Sequence, residues 1–282
     1  IVANSTNRSC SLANFCRLKK RTFNFSLQYG TLSFNSCCMK FAWLVLIFYN
    51  FFCPEPCSAQ QKRAEVKLVN DTIYTYADTS ADGIGKYYFG REIARVMGAA
   101  GSAWLERETR PQEENTALAI TKMKLSPSDV VADIGAGTGY YSFKLSDKLP
   151  QGKVYAVEIQ DEMIAVLKKR KAALRNRNVE IIKGSAMSPN LPGYSADIVI
   201  MVDVYHELEY PHEMLQSIKK VLKKDGKLLL IEYRGEDPAV RIKPLHKTTV
   251  AQLNKELSAN GFTLYYKGGF LPIQHFLLYE KK

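Results

Sequence analysis

From Val130 onward the chain alternates short apolar runs with amphipathic stretches: VVADI, KVYAVEI, VEIIKG, ADIVIMVD and GKLLLIEYR follow one another, separated by helical patterns of ordinary length. Strands that are apolar throughout are buried on both faces, and repeated strand–helix units close into a parallel sheet with a helical layer on each side. The end of the chain breaks this rhythm. GFTLYYKGG and QHFLLYEKK leave no room for a helix between them, so they are expected to pair antiparallel at one edge. The expected fold is α/β: a doubly wound, mostly parallel seven-stranded sheet with a terminal antiparallel hairpin and helices on both faces.

A small helical and hairpin extension is expected before it. EVKLVNDTIYTY alternates apolar and polar residues around Asn70 and Asp71, as a β-hairpin does. Residues 87–122 read as helices: Phe89, Ile93 and Val96 fall at helical spacing, and QEENTALAITKMKL starts acidic and ends basic, as the helix dipole prefers. Residues 60–109 are therefore read as an N-terminal hairpin and helical lid, and residues 110–282 as the main domain.

Charge and cysteine divide the 282-residue chain in the same way. Of the net +11, the first 59 residues contribute +5, leaving a modest +6 for the rest, and the run KKRK reads as the solvated face of a helix. No nucleic-acid partner is expected. All six cysteines lie before residue 60, which excludes a cysteine nucleophile, a cysteine zinc site or a disulfide in the main domain; no metal site is expected there. MKFAWLVLIFYNFFCPEPCSAQ, starting at Met39, has one lysine, an apolar run over 41–52 and small residues at Ser58 and Ala59, the layout of a signal peptide. The run falls short of the roughly 20 residues that span a bilayer. Residues 39–59 are thus read as a signal peptide or membrane tether, with export to the periplasm or exterior as the expectation and a cytoplasmic location as the alternative. Residues 1–38 are read as untranslated upstream sequence or a disordered segment.

The chemistry concentrates at VVADIGAGTGYYSF, where a turn from strand to helix carries Gly135, Gly137 and Gly139. Such a turn lets a ligand approach the backbone and offers it free N–H groups. A dinucleotide fingerprint needs its third glycine at position 140, which is Tyr140, and the Gly-Lys-Ser/Thr ending of a phosphate loop is absent. Asp133, two residues before the first glycine, disfavours a pyrophosphate and favours a ligand with a cationic end; the sulfonium and ammonium of S-adenosylmethionine fit that charge.

With these residues in place, residues 110–282 resemble the class I S-adenosylmethionine-dependent methyltransferases, whose first motif is an acidic residue followed by G-x-G-x-G. The resemblance implies that S-adenosylmethionine is the cofactor. It assigns ribose binding to Glu158 at the end of KVYAVEI and adenine contacts to Ser185 and Ala186, although the aspartate often found in that loop is missing. It also places Asp203, Val204, Tyr205, His206 and Glu207 at the mouth of the site, with Asp203 among the cofactor contacts. His206, followed by Asp203, is the candidate base for an acceptor that must lose a proton; either residue could equally be a satisfied structural group. Glu232, Arg234, Lys243, His246 and Lys247 are possible substrate contacts from the segment after the fifth strand, and Tyr88, Arg91, Trp104 and Arg107 from the lid.

The implied activity is methyl transfer to a small-molecule acceptor. No N-P-P-Y motif follows the fourth strand, which argues against methylation of nucleobase amines. GAGTGYYSFKLSDKL resembles protein isoaspartate methyltransferases, and VDVYHELEYPHEML resembles quinone methyltransferases, so a protein or quinone-type acceptor is the alternative, as is cofactor binding without catalysis.

Overall fold

The computed structural model describes residues 73–175 and 177–282. The expected signal segment, the apolar run 41–52 and the first arm of the expected hairpin around Asn70 lie outside the described residues. Among the described residues, no helix is long and apolar enough to cross a membrane. The described residues fall within a single compact unit, Lys62–Lys282.

The unit opens with a three-stranded antiparallel sheet, β1 (Tyr74–Tyr76), β2 (Gly83–Tyr88) and β3 (Arg91–Ala94), in that order. This corrects the helical reading of YYFGREIARVMG. Phe89 and Gly90 both take positive φ, 49° and 89°, so the chain reverses between Tyr88 and Arg91, which pair directly. Two consecutive left-handed residues make a tight hairpin turn and cannot sit in a helix. Three short helices follow: α1 (Ser102–Leu105), α2 (Arg110–Glu114) and α3 (Thr116–Lys122). The single helix expected over this last stretch is broken at Asn115, which adopts φ 51° and whose side chain accepts from Leu118 N at 3.3 Å, capping α3.

The alternating part comprises β4 (Val130–Ile134), α4 (Tyr140–Ser146), β5 (Lys153–Glu158), α5 (Asp161–Leu174), β6 (Val179–Lys183), β7 (Ala196–Val202), α6 (Pro211–Val221), β8 (Leu222–Tyr233), α7 (Val250–Ala259), β9 (Phe262–Gly268) and β10 (Gln274–Lys281). The seven strands are ordered β6-β5-β4-β7-β8-β10-β9; the first five run parallel, and β10 lies antiparallel between β8 and β9. The expected sheet and terminal hairpin are therefore present. One crossover departs from the expected rhythm: residues 184–195 join β6 to β7 without a helix, because Pro189 and Pro192 withhold the N–H groups that a helix would need.

Burial explains the apolar runs. Along β8, Leu228 and Leu230 face one core cluster while Leu229 and Ile231 face the other. Ile218 of α6 and Leu253 and Leu257 of α7 cover the first face; Ile120 of α3 and Phe143 and Leu145 of α4 cover the second. Successive side chains point to opposite faces, so a strand sandwiched between helices must be apolar at both.

The small sheet is locked onto the large domain through a buried ion pair. Arg91 Nε and Nη2 donate to the two oxygens of Glu256, each at 2.8 Å, and Glu256 also accepts from Tyr205 Oη at 2.8 Å. Glu256 is fully buried. Removing one partner strands the other charge in the interior, so Arg91→Ala is expected to lower the urea midpoint by the equivalent of about 3–5 kcal/mol; a loss below about 1 kcal/mol would show that the pair does not anchor the sheet.

Candidate functional site

The parallel strand order reverses between β4 and β7, and there the carboxyl ends of the strands part and open a crevice. A cavity of about 640 Å3 occupies it, within the range of small-molecule sites. Its wall includes Asp133, Gly135, Gly137, Glu158, Ser185, Ala186, Asp203 and His206, so the structure brings most of the residues singled out in the sequence to one place. Gly139 stands one step behind, at the start of α4.

The glycine turn is shaped by steric need. Gly135, Gly137 and Gly139 all have positive φ (72°, 54° and 82°). A Cβ on Gly135 would lie 2.7 Å from Val204, and one on Gly139 would lie 2.4 Å from the Phe143 ring; no other residue fits either position. The backbone N–H groups of Gly135 and Ala136 both donate to Val157 O, at 2.9 and 3.0 Å, which ties the turn to β5.

Two buried carboxylates flank the turn. Glu158 Oε2 accepts from Gly137 N at 2.8 Å, and Oε1 accepts from Ile159 N and Gln160 N at 2.7 and 2.9 Å. Asp133, 3% exposed, accepts from Ser142 Oγ at 2.6 Å. Burial pushes the Asp133 carboxyl up to about 6; Glu158 adds to the rise, while the Ser142 hydroxyl and Arg110 oppose it.

Beyond β7 the chain turns through Asp203, at φ 54°, into a single 3-10 turn, Tyr205–Glu207. Glu232, at the end of β8, holds this turn: its Oε1 accepts from Val204 N and Tyr205 N at 3.0 and 2.7 Å, and its Oε2 lies 2.6 Å from His206 Nδ1. The other ring nitrogen, Nε2, lies 3.1 Å from His246 Nδ1. Burial works against a charge on His206, but Glu232 and Glu207 outweigh it and raise the imidazole to about 10. Burial likewise pushes Glu207 up, and the two imidazoles more than reverse this, bringing it down to about 2. Asp203 Oδ2 accepts from Gln274 Nε2 at 2.7 Å, whereas its buried Oδ1 has no hydrogen-bond partner. Burial, then Glu114 and Glu232, hold this carboxyl well above the usual range.

The remaining expectations divide. Ser185 closes its own turn, its N and Oγ both donating to Ser188 O at 2.8 and 3.2 Å. Trp104, Arg107, Lys243 and His246 line the cavity, but Tyr88, Arg91, Glu232, Arg234 and Lys247 do not. Arg234 instead donates to the carbonyls of Pro272 and Leu271. Sequence reasoning missed Arg110 and Asp82. Arg110 enters the wall from α2, stacked 4.2 Å from the Tyr140 ring centre and paired with the fully buried Glu114 at 2.8 Å. Asp82 enters from the loop before β2 and pairs with Lys243 at 2.7 Å. Neither lies near the alternating segment, and no local pattern marks them.

Comparison with known proteins places this arrangement. Residues 132–230 match the family model described as "Methyltransferase domain". Over 123 residues the chain is 29% identical to an uncharacterized methyltransferase-like protein of Schizosaccharomyces pombe, covering 44% of this chain and 45% of that protein. Over 114 residues it is 27% identical to a demethylmenaquinone methyltransferase of Oceanobacillus iheyensis, covering 40% of this chain and 48% of that protein. The chain thus spans about half the length of the curated relatives it matches. In fold it is similar to the crystal structure of a SAM-dependent methyltransferase from Aquifex aeolicus, with a TM-score of 0.62 and 23% identity over 65% of this chain and 98% of that one. Residues 132–230 thus match a methyltransferase domain, and the sheet around them has the fold of the Aquifex aeolicus structure.

Proposed function

We propose that the protein transfers the methyl group of S-adenosylmethionine to a small-molecule acceptor held in the cavity at the strand ends. The observation that carries this reading is the placing of Asp133 and Glu158 on either side of a glycine turn that only glycine can form. The residues present suit the cofactor. A carboxylate offers about four lone-pair sites, and Glu158 uses three on backbone N–H groups, which leaves one for a ribose hydroxyl. Asp133 sits buried with its charge poorly solvated, so a cationic group beside it offsets that cost. Gly135 and Gly137 admit the ligand to the backbone, Gly139 sets the entry into α4, and Ser185, Ala186 and Asp203 form the wall where the base and the methionine end would lie.

When bound, S-adenosylmethionine supplies an electrophilic methyl carbon on its sulfonium, and the protein's part is to orient the acceptor in line with it. His206 and Asp203 then serve as shaping and polarising groups. His206 already holds its proton between carboxylates and so is not a ready base in the state described, while burial raises the Asp203 carboxyl well above the usual range. A quinone-type acceptor is the second reading, favoured by the similarity to the demethylmenaquinone methyltransferase and by the apolar Val96, Met97, Trp104 and Leu105 on the outer wall. Residues 39–59 are proposed to export or tether the chain, with a cytoplasmic location as the alternative; cell fractionation that finds the protein soluble in the cytosol with residues 41–52 intact ends the export reading.

Calorimetry of the full chain is expected to give micromolar binding of S-adenosylmethionine and none of NAD. Loss of the charged acceptor in Glu158→Ala should weaken binding about tenfold to a hundredfold, the worth of hydrogen bonds to an ionised group. No binding by the folded parent protein would defeat the proposal.

The Asp133 carboxyl also makes stability depend on pH. An unfolded aspartate loses its proton near 3.8 and this folded one near 6, so the folded chain binds more protons between those values. Its contribution is therefore favourable below about pH 4 and declines as pH rises to about 6, by on the order of 3 kcal/mol. Asp133→Asn, which can still accept from Ser142, is expected to raise the melting temperature of the cofactor-free protein at pH 7 and to have little effect at pH 4, while weakening cofactor binding. Equal melting of variant and parent at pH 7 would contradict this.

A further inference from the structure

The two histidines on the cavity wall meet ring nitrogen to ring nitrogen, each with a carboxylate at its other nitrogen. His206 turns Nδ1 outward to Glu232 Oε2 at 2.6 Å, and His246 turns Nε2 outward to Asp82 Oδ2 at 3.0 Å. When a metal takes the place of the inner proton, a carboxylate beside the outer nitrogen keeps a proton there and frees the inner nitrogen to donate its lone pair. The inner nitrogens, His206 Nε2 and His246 Nδ1, lie 3.1 Å apart. Glu207 Oε1 joins them, 3.2 Å from His246 Nδ1 and 3.8 Å from His206 Nε2. The three groups thus converge on one point, where either a shared proton or a metal cation can stand between them.

We infer that His206, Glu207 and His246 form a binding site for a first-row divalent transition-metal ion on the wall of the cavity. The donor atoms all lie within 4.8 Å of one another. A metal with bonds of about 2.1 Å holds neighbouring donors about 3.0 Å apart in an octahedral site and about 3.4 Å apart in a tetrahedral one, so closure needs movements of only a few tenths of an ångström. Two imidazoles and one carboxylate suit zinc, iron, cobalt or nickel; calcium and magnesium prefer oxygen ligands throughout.

The supports are those of a prepared site. Glu232 fixes the backbone of Val204 and Tyr205 as well as the His206 ring, and Arg91 Nη1 donates to His206 O at 3.1 Å. His246 is carried on its own 3-10 turn, Pro244–His246, and Asp82 is held by Lys243. Glu207 is steadied by Met97 N at 3.2 Å. Three protein ligands leave at least one coordination position, and the donors line the cavity, so that position is open to an oxygen-bearing group of the acceptor. This last step rests on the methyltransferase reading; the metal site itself does not, since none of its ligands is Asp133, Glu158 or a residue of the glycine turn.

The test uses the full chain, stripped with chelator and with its six cysteines, all before residue 60, blocked by alkylation so that thiolates cannot bind metal. Calorimetry with zinc chloride and visible absorption with cobalt chloride are expected to show one equivalent bound, a cobalt spectrum without thiolate charge-transfer bands, and no comparable binding of magnesium. His246→Ala and Glu207→Gln should each weaken zinc binding at least about tenfold, and Asp82→Asn should weaken it less, with metal-free melting temperatures showing that the variants are folded. No stoichiometric zinc or cobalt binding by the folded parent, or undiminished binding by both ligand variants, overturns the site. If one ligand variant fails to fold, the parent stoichiometry and the other variant decide. S-adenosylmethionine titrated into the same preparations separates the two readings: metal bound without cofactor binding defeats the methyltransferase proposal alone.

Discussion

The geometry of the crevice depends on Glu232. It is fully buried at the end of β8, and through two oxygens it accepts from the backbone of Val204 and Tyr205 and meets the ring of His206. That grip turns the chain sharply after β7. Asp203 stands at the bend in a left-handed conformation, which costs a non-glycine residue about 1–3 kcal/mol and persists only where the surroundings over-determine it. Asp203 N donating to Ile231 O at 2.8 Å supplies the rest of the constraint. The bend sets Val204 against the glycine turn and His206 and Glu207 on the cavity wall, so one carboxylate determines the geometry on both sides of the crevice.

The same economy appears at the other buried acids. Glu158 steadies the glycine turn and faces the cavity; Glu256 ties the small sheet, α7 and Tyr205 together; Glu114 joins Arg107, Arg110 and Tyr233 Oη. Each carboxylate sits where strand ends leave unpaired backbone or where a cation is brought in from another element. Placing so many acids in a low-dielectric interior is costly unless each is paired. Asp133 and Asp203, whose compensation is incomplete, both lie on the cavity wall. Incompletely compensated groups are expected where a ligand is to complete them.

The large sheet was legible because both its faces are buried, which writes strands as continuous apolar runs, and because the glycine turn carries its own steric signature. Asp133, Glu158 and the residues after β7 could be placed from strand ends alone. Of the small sheet only β1 was legible, as the arm after Asp71; around β2 and β3, Phe89, Ile93 and Val96 happen to fall at helical spacing, and the left-handed pair Phe89 and Gly90 that reverses the chain includes a residue whose side chain disfavours that conformation. His246 was visible only as one charged residue in a long connection. Its meeting with His206 joins positions 40 residues apart, and Asp82 comes from farther still. Side chains brought together by tertiary folding leave no periodic trace, so a constellation of this kind becomes readable only when the chain is folded.

The position of β10 has a consequence for the order in which the sheet can be built. It lies inside the sheet, between β8 and β9, although β9 precedes it in the chain. As synthesis proceeds from the N-terminus, the five parallel strands around the crevice can assemble while β8 still presents an open edge, and β9 has no strand to join until β10 has emerged. Gln274, the first residue of β10, is also the one that bonds Asp203. Until β10 is in place, the Asp203 wall lacks this support and β8 presents an open edge.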